Sequence, residues 1–312
     1  MTVCQSYCGG AAKPVPDPPA TVTRFAPSPT GLLHLGHVHA ALFAWRAARA
    51  AGGRFLLRIE DIDRGRCRPA FEAAILEDLA WLGLTWEAPV RRQSAHLAAH
   101  RAALDRLARM GVVYPCFCTR AEIQAEIAAS PSAPQGPDGP LYPGTCRRLD
   151  AAERSARLAE GRPHALRLDM AAALARATAA GPLLWHDRAR GTQRAAPQRF
   201  GDVVLARKDV PTSYHLAVTL DDAAQGVTLV TRGEDLVEAT HVHRLLQALL
   251  DLPVPTWHHH ALMTDDTGRR LAKRDNARAV RALRESGLDA VEVRARAGFP
   301  DGSISATAAG AG

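Results

Sequence analysis

Arg24-Phe-Ala-Pro-Ser-Pro-Thr-Gly-Leu-Leu-His-Leu-Gly-His37 is the stretch whose reading decides the fold. The residues ending at Thr23 look like the end of a β-branched strand. Pro27 and Pro29 then forbid a regular helix, and Gly31 and Gly36 let the backbone pass close to a neighbour or ligand. A helix can begin only beyond them. From His37 the run is rich in helix formers, with Val38, Leu42 and Trp45 at helical spacing. His34 and His37 therefore sit at a helix N-terminus, where free N–H groups and the macrodipole favour an anion. A triphosphate is the ligand such an arrangement would hold.

Downstream, Gly52-Gly53 break the helical pattern, and Arg54-Phe-Leu-Leu-Arg-Ile-Glu-Asp61 is apolar enough for a buried strand of a parallel sheet. Strand, crossover helix and second strand make a βαβ unit. In open α/β sheets ligands bind beyond the carboxyl ends of strands, which places Glu60 to line a site. The competing reading of Arg58, Glu60, Asp61, Asp63 and Arg64 is a solvated strand end. Residues 69–84 read as an amphipathic helix with Phe71, Ile75, Leu79 and Leu82 on one face, and a further helix covers about 93–110. Trp45, Trp81, His96 and His100 are read as packing or solvent-facing.

The character of the chain changes at Val112. Cys116-Phe-Cys118 precedes a short polar helix from Thr119, a Pro/Gly/Ser-rich loop from Ser130 to Pro140, and Leu141-Tyr-Pro-Gly-Thr-Cys146. Three thiols suit zinc, which takes four ligands in a tetrahedron. Tyr142 and a histidine such as His164 are both candidates for the fourth, and spacing does not choose between them. The alternative is reduced cysteines packed in a small β-rich insertion. Cys4, Cys8 and Cys67 show no ligand pattern. Gly201 to Val210 resembles a hairpin strand. Pro211 to Asp222 and Gly226 to Asp235 read as two apolar strands ending in charge. Leu236 to Leu250 reads as a helix carrying His241 and His243. Adjacent histidines such as His258, His259 and His260 at a strand start seldom share one metal. Residues 267–277 form a basic loop before a helix from about Val280.

With 39 Lys and Arg against 32 Asp and Glu, the net charge is +7, a modest pointer to a polyanionic partner. Only Lys13, Lys208 and Lys273 are lysine, so arginine-rich composition accounts for part of that charge. No apolar run approaches the roughly 18 residues of a membrane span, and the first twenty residues lack the order of a signal peptide. The expectation is a cytoplasmic protein with no membrane partner.

His34-Leu-Gly-His37 resembles the HIGH signature of class I aminoacyl-tRNA synthetases, and Arg270-Leu-Ala-Lys-Arg274 stands in the place of the KMSKS signature. Together with Arg24 to Gly31, Arg58-Ile-Glu-Asp-Ile-Asp63 and Arg232-Gly-Glu-Asp235, they resemble the glutamyl-tRNA synthetase group from about residue 22 to about 297. About forty residues follow Arg274, too few for the helical anticodon-binding domains of ordinary members. The pattern Cys116-x-Cys118, Tyr142-x3-Cys146 resembles the zinc site of one subfamily, the glutamyl-Q tRNA(Asp) synthetases.

This resemblance implies an α/β fold: a Rossmann-like parallel-sheet core with a zinc-binding insertion, a C-terminal helical segment and no anticodon-binding domain. The expected division is a disordered leader (1–20), the first half of the core (21–112), a zinc-binding and acceptor-type insertion (113–200), the second half (201–262), the KMSKS-type loop and following helices (263–298) and a disordered tail (299–312). The implied activity is ATP-dependent activation of L-glutamate, with Mg²⁺ accompanying ATP, and transfer of glutamate to queuosine in tRNA(Asp); monomer is the default state.

By the same resemblance His34, Gly36, His37 and Lys273 bind ATP, with His34, His37 and Lys273 catalytic. Arg24, Phe25, Ala26, Pro27, Ser28, Glu60, Tyr214 and Arg232 line the glutamate site. There the two arginines face carboxylate, Ser28 and Tyr214 hydrogen-bond the substrate, and Glu60 meets the ammonium. Cys116, Cys118, Tyr142 and Cys146 hold one structural Zn²⁺, and it is the resemblance that nominates Tyr142. The second signature departs from its family at Arg270, Ala272 and Arg274, keeping charge and Lys273 but losing hydroxyls. The alternatives are a truncated synthetase charging tRNA(Glu) and a non-catalytic RNA-binding paralogue.

Overall fold

The computed structural model describes residues 20–129, 134–263 and 279–300. Strand and helix alternate from the start: β1 (Val22–Phe25), α1 (Leu35–Ala50), β2 (Arg54–Ile59), α2 (Pro69–Trp81), β3 (Glu87–Arg92) and α3 (Leu97–Arg109). A stretch of short elements follows: β4 (Val113–Cys116), α4 (Arg120–Ala128), β5 (Gln135–Gly136), β6 (Gly139–Pro140), α5 (Ala151–Ala159), β7 (Ala165–Leu168), α6 (Met170–Ala177), β8 (Leu184–Asp187) and β9 (Gly191–Arg194). The chain then continues through β10 (Val204–Ala206), α7 (Tyr214–Ala224), β11 (Leu229–Gly233), α8 (Ala239–Leu250), β12 (Thr256–His260), α9 (Val280–Glu285) and α10 (Ala290–Arg296).

β1, β2 and β3 pair in parallel. β11 and β12 also pair in parallel, β8 adds in parallel to the far side of β12, and β9 closes that edge antiparallel. The two groups meet where the Thr228 N–H donates to the Val22 carbonyl at 3.0 Å and the Val22 N–H donates to Thr228 Oγ1 at 2.8 Å. Strand order thus runs β3-β2-β1 and then β11-β12-β8-β9, reversing between β1 and β11. That reversal is the switch point at which an open α/β sheet leaves a crevice beyond its carboxyl ends.

The helices follow from their sequences. α1 starts at Leu35 because His34 is still extended (φ −124°, ψ 172°) while its carbonyl already accepts from the His37 and Val38 N–H groups. Its buried face, Val38, Leu42, Trp45 and Ala48, packs with Phe25, Leu57 and Ile59 in the main core. Burying one such large side chain contributes about 1.5–3 kcal/mol. α2 begins at Pro69, whose missing N–H costs nothing in a first turn, and buries Ile75 and Leu79 in the same core. Gly53 is required by a close approach, since a Cβ there would stand 2.0 Å from the Thr21 carbonyl oxygen.

Two expectations change, and one strand appears that the sequence did not announce. Pro211 to Asp222 is largely helix α7, not strand: Leu216, Ala217, Val218 and Thr219 are consecutive and all buried. A helix covered on nearly every side loses its 3.6-residue signature and reads as a short apolar strand. β3 escapes a hydrophobic reading because its first three residues and Arg92 are exposed. Between Gly201 and Val210 only Val204–Ala206 is strand, paired antiparallel with β7. The leader to residue 19, residues 264–278 with their basic loop, and the tail from residue 301 lie outside the described residues. Among the described residues no helix is long and apolar enough to cross a membrane.

Candidate active site

A cavity of about 520 Å³ opens at the carboxyl ends of β1 and β11. Arg24, Phe25, Ala26, Pro27 and Ser28 line it from β1 and the turn beyond, and His34, Gly36 and His37 from the start of α1. Glu60, Tyr214 and Arg232 complete the wall. The structure therefore brings together every described residue that the sequence nominates for glutamate and ATP; Lys273 lies outside the described residues. The proline turn is tied to the sheet by its carbonyls. Pro27 accepts the Glu60 N–H and Pro29 accepts the Arg68 N–H, each at 3.0 Å.

At the helix start the His34 and His37 rings stack with centroids 3.7 Å apart. The His34 backbone N–H donates to His37 Nδ1 at 3.2 Å, so in the neutral ring the proton sits on Nε2. Gly36 makes room for the stack, because a Cβ would come within 3.1 Å of the His34 ring.

Beneath the cavity lies a buried charge cluster. Arg24 donates through Nε to Asp222 at 2.9 Å and through Nη1 to the Thr231 carbonyl at 3.0 Å. Arg58, completely buried near the carboxyl end of β2, donates to Asp222 at 2.7 Å, to Gln225 at 3.0 Å and to Glu60 at 3.1 Å. Burial alone would raise the Asp222 pKa, but the two guanidinium groups outweigh it and hold the carboxyl below its ordinary range. Glu60 is the opposite case: burial pushes its pKa up by more than Arg58 and Arg24 pull it down.

Arg232 differs from both arginines. Its guanidinium donates to His259 Nε2 (3.1 Å), Tyr214 Oη (3.3 Å), His243 Nδ1 (3.3 Å) and Thr240 Oγ1 (2.6 Å), all neutral acceptors. Burial depresses the pKa of His243 well below the ordinary histidine value and that of His215, 3.2 Å beyond it, to about 4. Among the described residues no carboxylate lies within ion-pair reach of Arg232, and burial lowers its own pKa. One cavity thus contains a buried cation with no counterion among the described residues and a buried carboxylate whose arginine partner, Arg58, is shared with Asp222. A carboxylate and an ammonium are the groups that would satisfy them.

The cysteine cluster stands apart from this cavity. Cys116, Cys118 and Cys146 place their sulfurs within 4.8 Å of one another, with Cys118 and Cys146 3.3 Å apart. The Tyr142 hydroxyl lies 3.4 Å from Cys116 Sγ and 3.5 Å from Cys118 Sγ, and Arg167 stacks on the tyrosine ring. His164 is not in the cluster; its ring leans on Phe117 and its Nδ1 contacts the Arg162 carbonyl. A tetrahedral ion with Zn–S near 2.3 Å sets neighbouring ligands about 3.8 Å apart, so the four donors can hold a metal after a small expansion. The His258–His260 tract does not converge. His259 turns to Arg232 and Asp187, whereas His258 and His260 pack on Phe43.

Asp222, Thr240, His243, His259 and Asp187 were not legible as site residues. The available signals were Arg58 interrupting an apolar strand one residue before its end and the paired Asp221-Asp222 closing an apolar run. Charges there must find partners.

A family model of tRNA synthetases class I (E and Q), catalytic domain, matches residues 20–298. A glutamyl-Q tRNA(Asp) synthetase of Rhodobacter capsulatus is 55% identical over 276 residues, covering 88% of this chain and 98% of that protein. Another, from Symbiobacterium thermophilum, is 45% identical over 85% of this chain and 81% of its own. The crystal structure of a glutamate tRNA ligase from Elizabethkingia meningosepticum in complex with its amino acid superposes with a TM-score of 0.69 at 28% identity, over 86% of this chain. The chain covers 53% of that ligase, about half the length of the solved structure it matches.

Replacing Asp222 by Asn leaves two buried arginines without their shared anion, and the unfolding free energy measured in urea is expected to fall by about 3–5 kcal/mol. Because the folded pKa of Asp222 is depressed from 3.8, its contribution is complete above the ordinary carboxylate range and is lost as pH falls through the folded value. The wild-type stability curve should steepen below about pH 4, and D222N should flatten that limb.

Proposed function

We propose, since the chain belongs to the family of class I tRNA synthetase catalytic domains for glutamate and glutamine, that it activates L-glutamate with ATP and transfers the glutamyl group to queuosine in the anticodon of tRNA(Asp). The observation that carries this reading is the single cavity that joins the α1 histidine turn to Arg232, whose described partners are all neutral, and to the buried carboxylate of Glu60. The name of the Rhodobacter capsulatus relative, nearly all of whose length this chain covers, supports the acceptor.

In this reading Arg232 receives a glutamate carboxylate, Glu60 the ammonium, and Ser28 and Tyr214 hydrogen-bond the substrate. Arg24, with its charge shared by Asp222, adds a weaker field for the second carboxylate. The α-carboxylate oxygen attacks the α-phosphorus of ATP in line, and pyrophosphate leaves with the electrons of the broken P–O bond. A hydroxyl of the queuosine cyclopentenediol then attacks the acyl carbon and releases AMP. The protein's task is to position and to stabilise phosphate charge. His34 and His37, at the α1 N-terminus with Gly36, face the triphosphate, with Lys273 and Mg²⁺ sharing its charge. Cys116, Cys118, Tyr142 and Cys146 hold Zn²⁺ in a closed, structural site. The protein acts in the cytoplasm as a monomer.

Glutamate-dependent ATP–pyrophosphate exchange should proceed without RNA, and labelled glutamate should pass to queuosine-containing tRNA(Asp) but not to its queuosine-lacking form or to tRNA(Glu). Labelling of tRNA(Glu) alone, or absence of exchange, would sink the proposal. His37→Ala should lower exchange by about 10²-fold while the unfolding midpoint stays in place. Chelation under reducing conditions should release about one zinc per chain and lower the melting temperature; metal analysis that finds none in freshly purified protein would remove zinc from the account.

A further inference from the structure

Arg232 is aimed by groups that do not reach the cavity. Its Nε–H can only donate, so His259 Nε2, 3.1 Å away, must accept. The proton of that ring then sits on Nδ1, which donates to Asp187 Oδ2 at 2.6 Å. Asp187 is itself fixed: Oδ1 accepts the N–H groups of Ala189 (2.8 Å) and Arg190 (3.0 Å), and Oδ2 also accepts the His259 N–H (3.2 Å). The side chains of His259 and Asp187 are both fully buried. The three residues lie on adjacent parallel strands, with Arg232 opposite His259 in the β11–β12 register and Asp187 closing β8 beside Trp257.

From this geometry we infer that Asp187 and His259 are positioning residues for the known class of reaction, a carboxylate–imidazole pair that locks one tautomer and so fixes the direction in which Arg232 presents its charge to the substrate carboxylate. The inference rests on the reading of Arg232 as a carboxylate ligand given above. A carboxylate bound directly to Arg232 would hold the guanidinium equally well but would neutralise it. A neutral imidazole holds it and leaves the charge for the substrate, and the Asp187 charge stays one ring further back. Burial and the neighbouring Arg232 push the His259 pKa down to about 4 against the pull of Asp187, consistent with a ring that stays neutral at working pH. Thr240 Oγ1 accepts from Arg232 Nη2 at 2.6 Å and lies 3.3 Å from the same Nε2, to which its hydroxyl can only donate, closing the remaining side of the guanidinium.

The test is glutamate-dependent ATP–pyrophosphate exchange by the full chain, with KM for glutamate, KM for ATP and kcat measured separately for H259N, H259Q, D187N and R232K. An Asn amide at 259 can still meet Asp187 but does not reach Arg232, whereas a Gln carbonyl oxygen can take the place of Nε2. Loss of a charge-assisted hydrogen bond should raise the glutamate KM of H259N and D187N by about 10-fold to 100-fold, with the ATP KM within about twofold of wild type. H259Q should recover most of the glutamate KM. Should H259N not fold, H259Q against D187N decides: a near-native glutamate KM in the first with a raised one in the second supports the inference. Glutamate KM values left unchanged in H259N and D187N while R232K raises its own would overturn the inference and spare the reading of Arg232. Glutamate and ATP KM values that rise together, with H259Q no better than H259N, would reduce the pair to a fold element and overturn it as well. An R232K enzyme with native glutamate KM would remove the inference together with the reading beneath it.

Discussion

A single carboxylate, Asp222, sits between two buried guanidinium groups, and the geometry of the crevice depends on it. Arg24 comes from β1, Arg58 from β2 and Asp222 from the last turns of α7, so the cluster ties the first βαβ unit to the second half of the sheet. Removing three charges from water costs several kcal/mol per ion, and only close, well-directed hydrogen bonds recover that cost. The contacts at 2.7–2.9 Å meet that condition. Shared between two arginines, one carboxylate also leaves a net positive field at the base of the cavity, and Glu60, hydrogen-bonded to Arg58 at 3.1 Å, stands at its edge.

The division of labour among the arginines follows from their partners. Arg24 and Arg58 share the Asp222 carboxylate within the fold, whereas Arg232 is surrounded by hydroxyl and imidazole acceptors. A buried cation so placed is a standing cost to stability that an incoming carboxylate relieves. Glu60 differs in having an arginine partner, Arg58 at 3.1 Å, yet burial still raises its pKa against the pull of its arginine neighbours.

Much of this was legible in the sequence where local chemistry is decisive. Prolines and glycines mark the turn after β1, helix-forming residues mark α1, and the strand-end rule points to Glu60; the structure puts all three on one cavity. What escaped were interactions set by tertiary packing. Asp221 and Asp222 look like the charged end of a strand until α7 is seen to be covered on nearly every side. Then one carboxylate turns to Arg91, Gln93 and His100 and the other to Arg24 and Arg58. His100, read as a packing or surface residue, is buried against Asp221. Residue type alone does not say which of two adjacent aspartates faces which partner, because that depends on strands and a helix about 120 to 200 residues away in the chain.

The histidine tract shows how strand geometry converts an ambiguous motif into a definite arrangement. Successive side chains of a strand point to opposite faces of the sheet, so three consecutive histidines on β12 cannot converge on one ion. His258 and His260 face the aromatic side of α1, where each ring lies within 4.9 Å of the Phe43 centroid. His259 faces the other way, into the plane of Arg232 and Asp187. The parallel register then does what a flexible loop could not. It lines up an arginine, a histidine and a strand-ending aspartate across three neighbouring strands, so the direction of the charge that Arg232 turns to the cavity is set by backbone pairing.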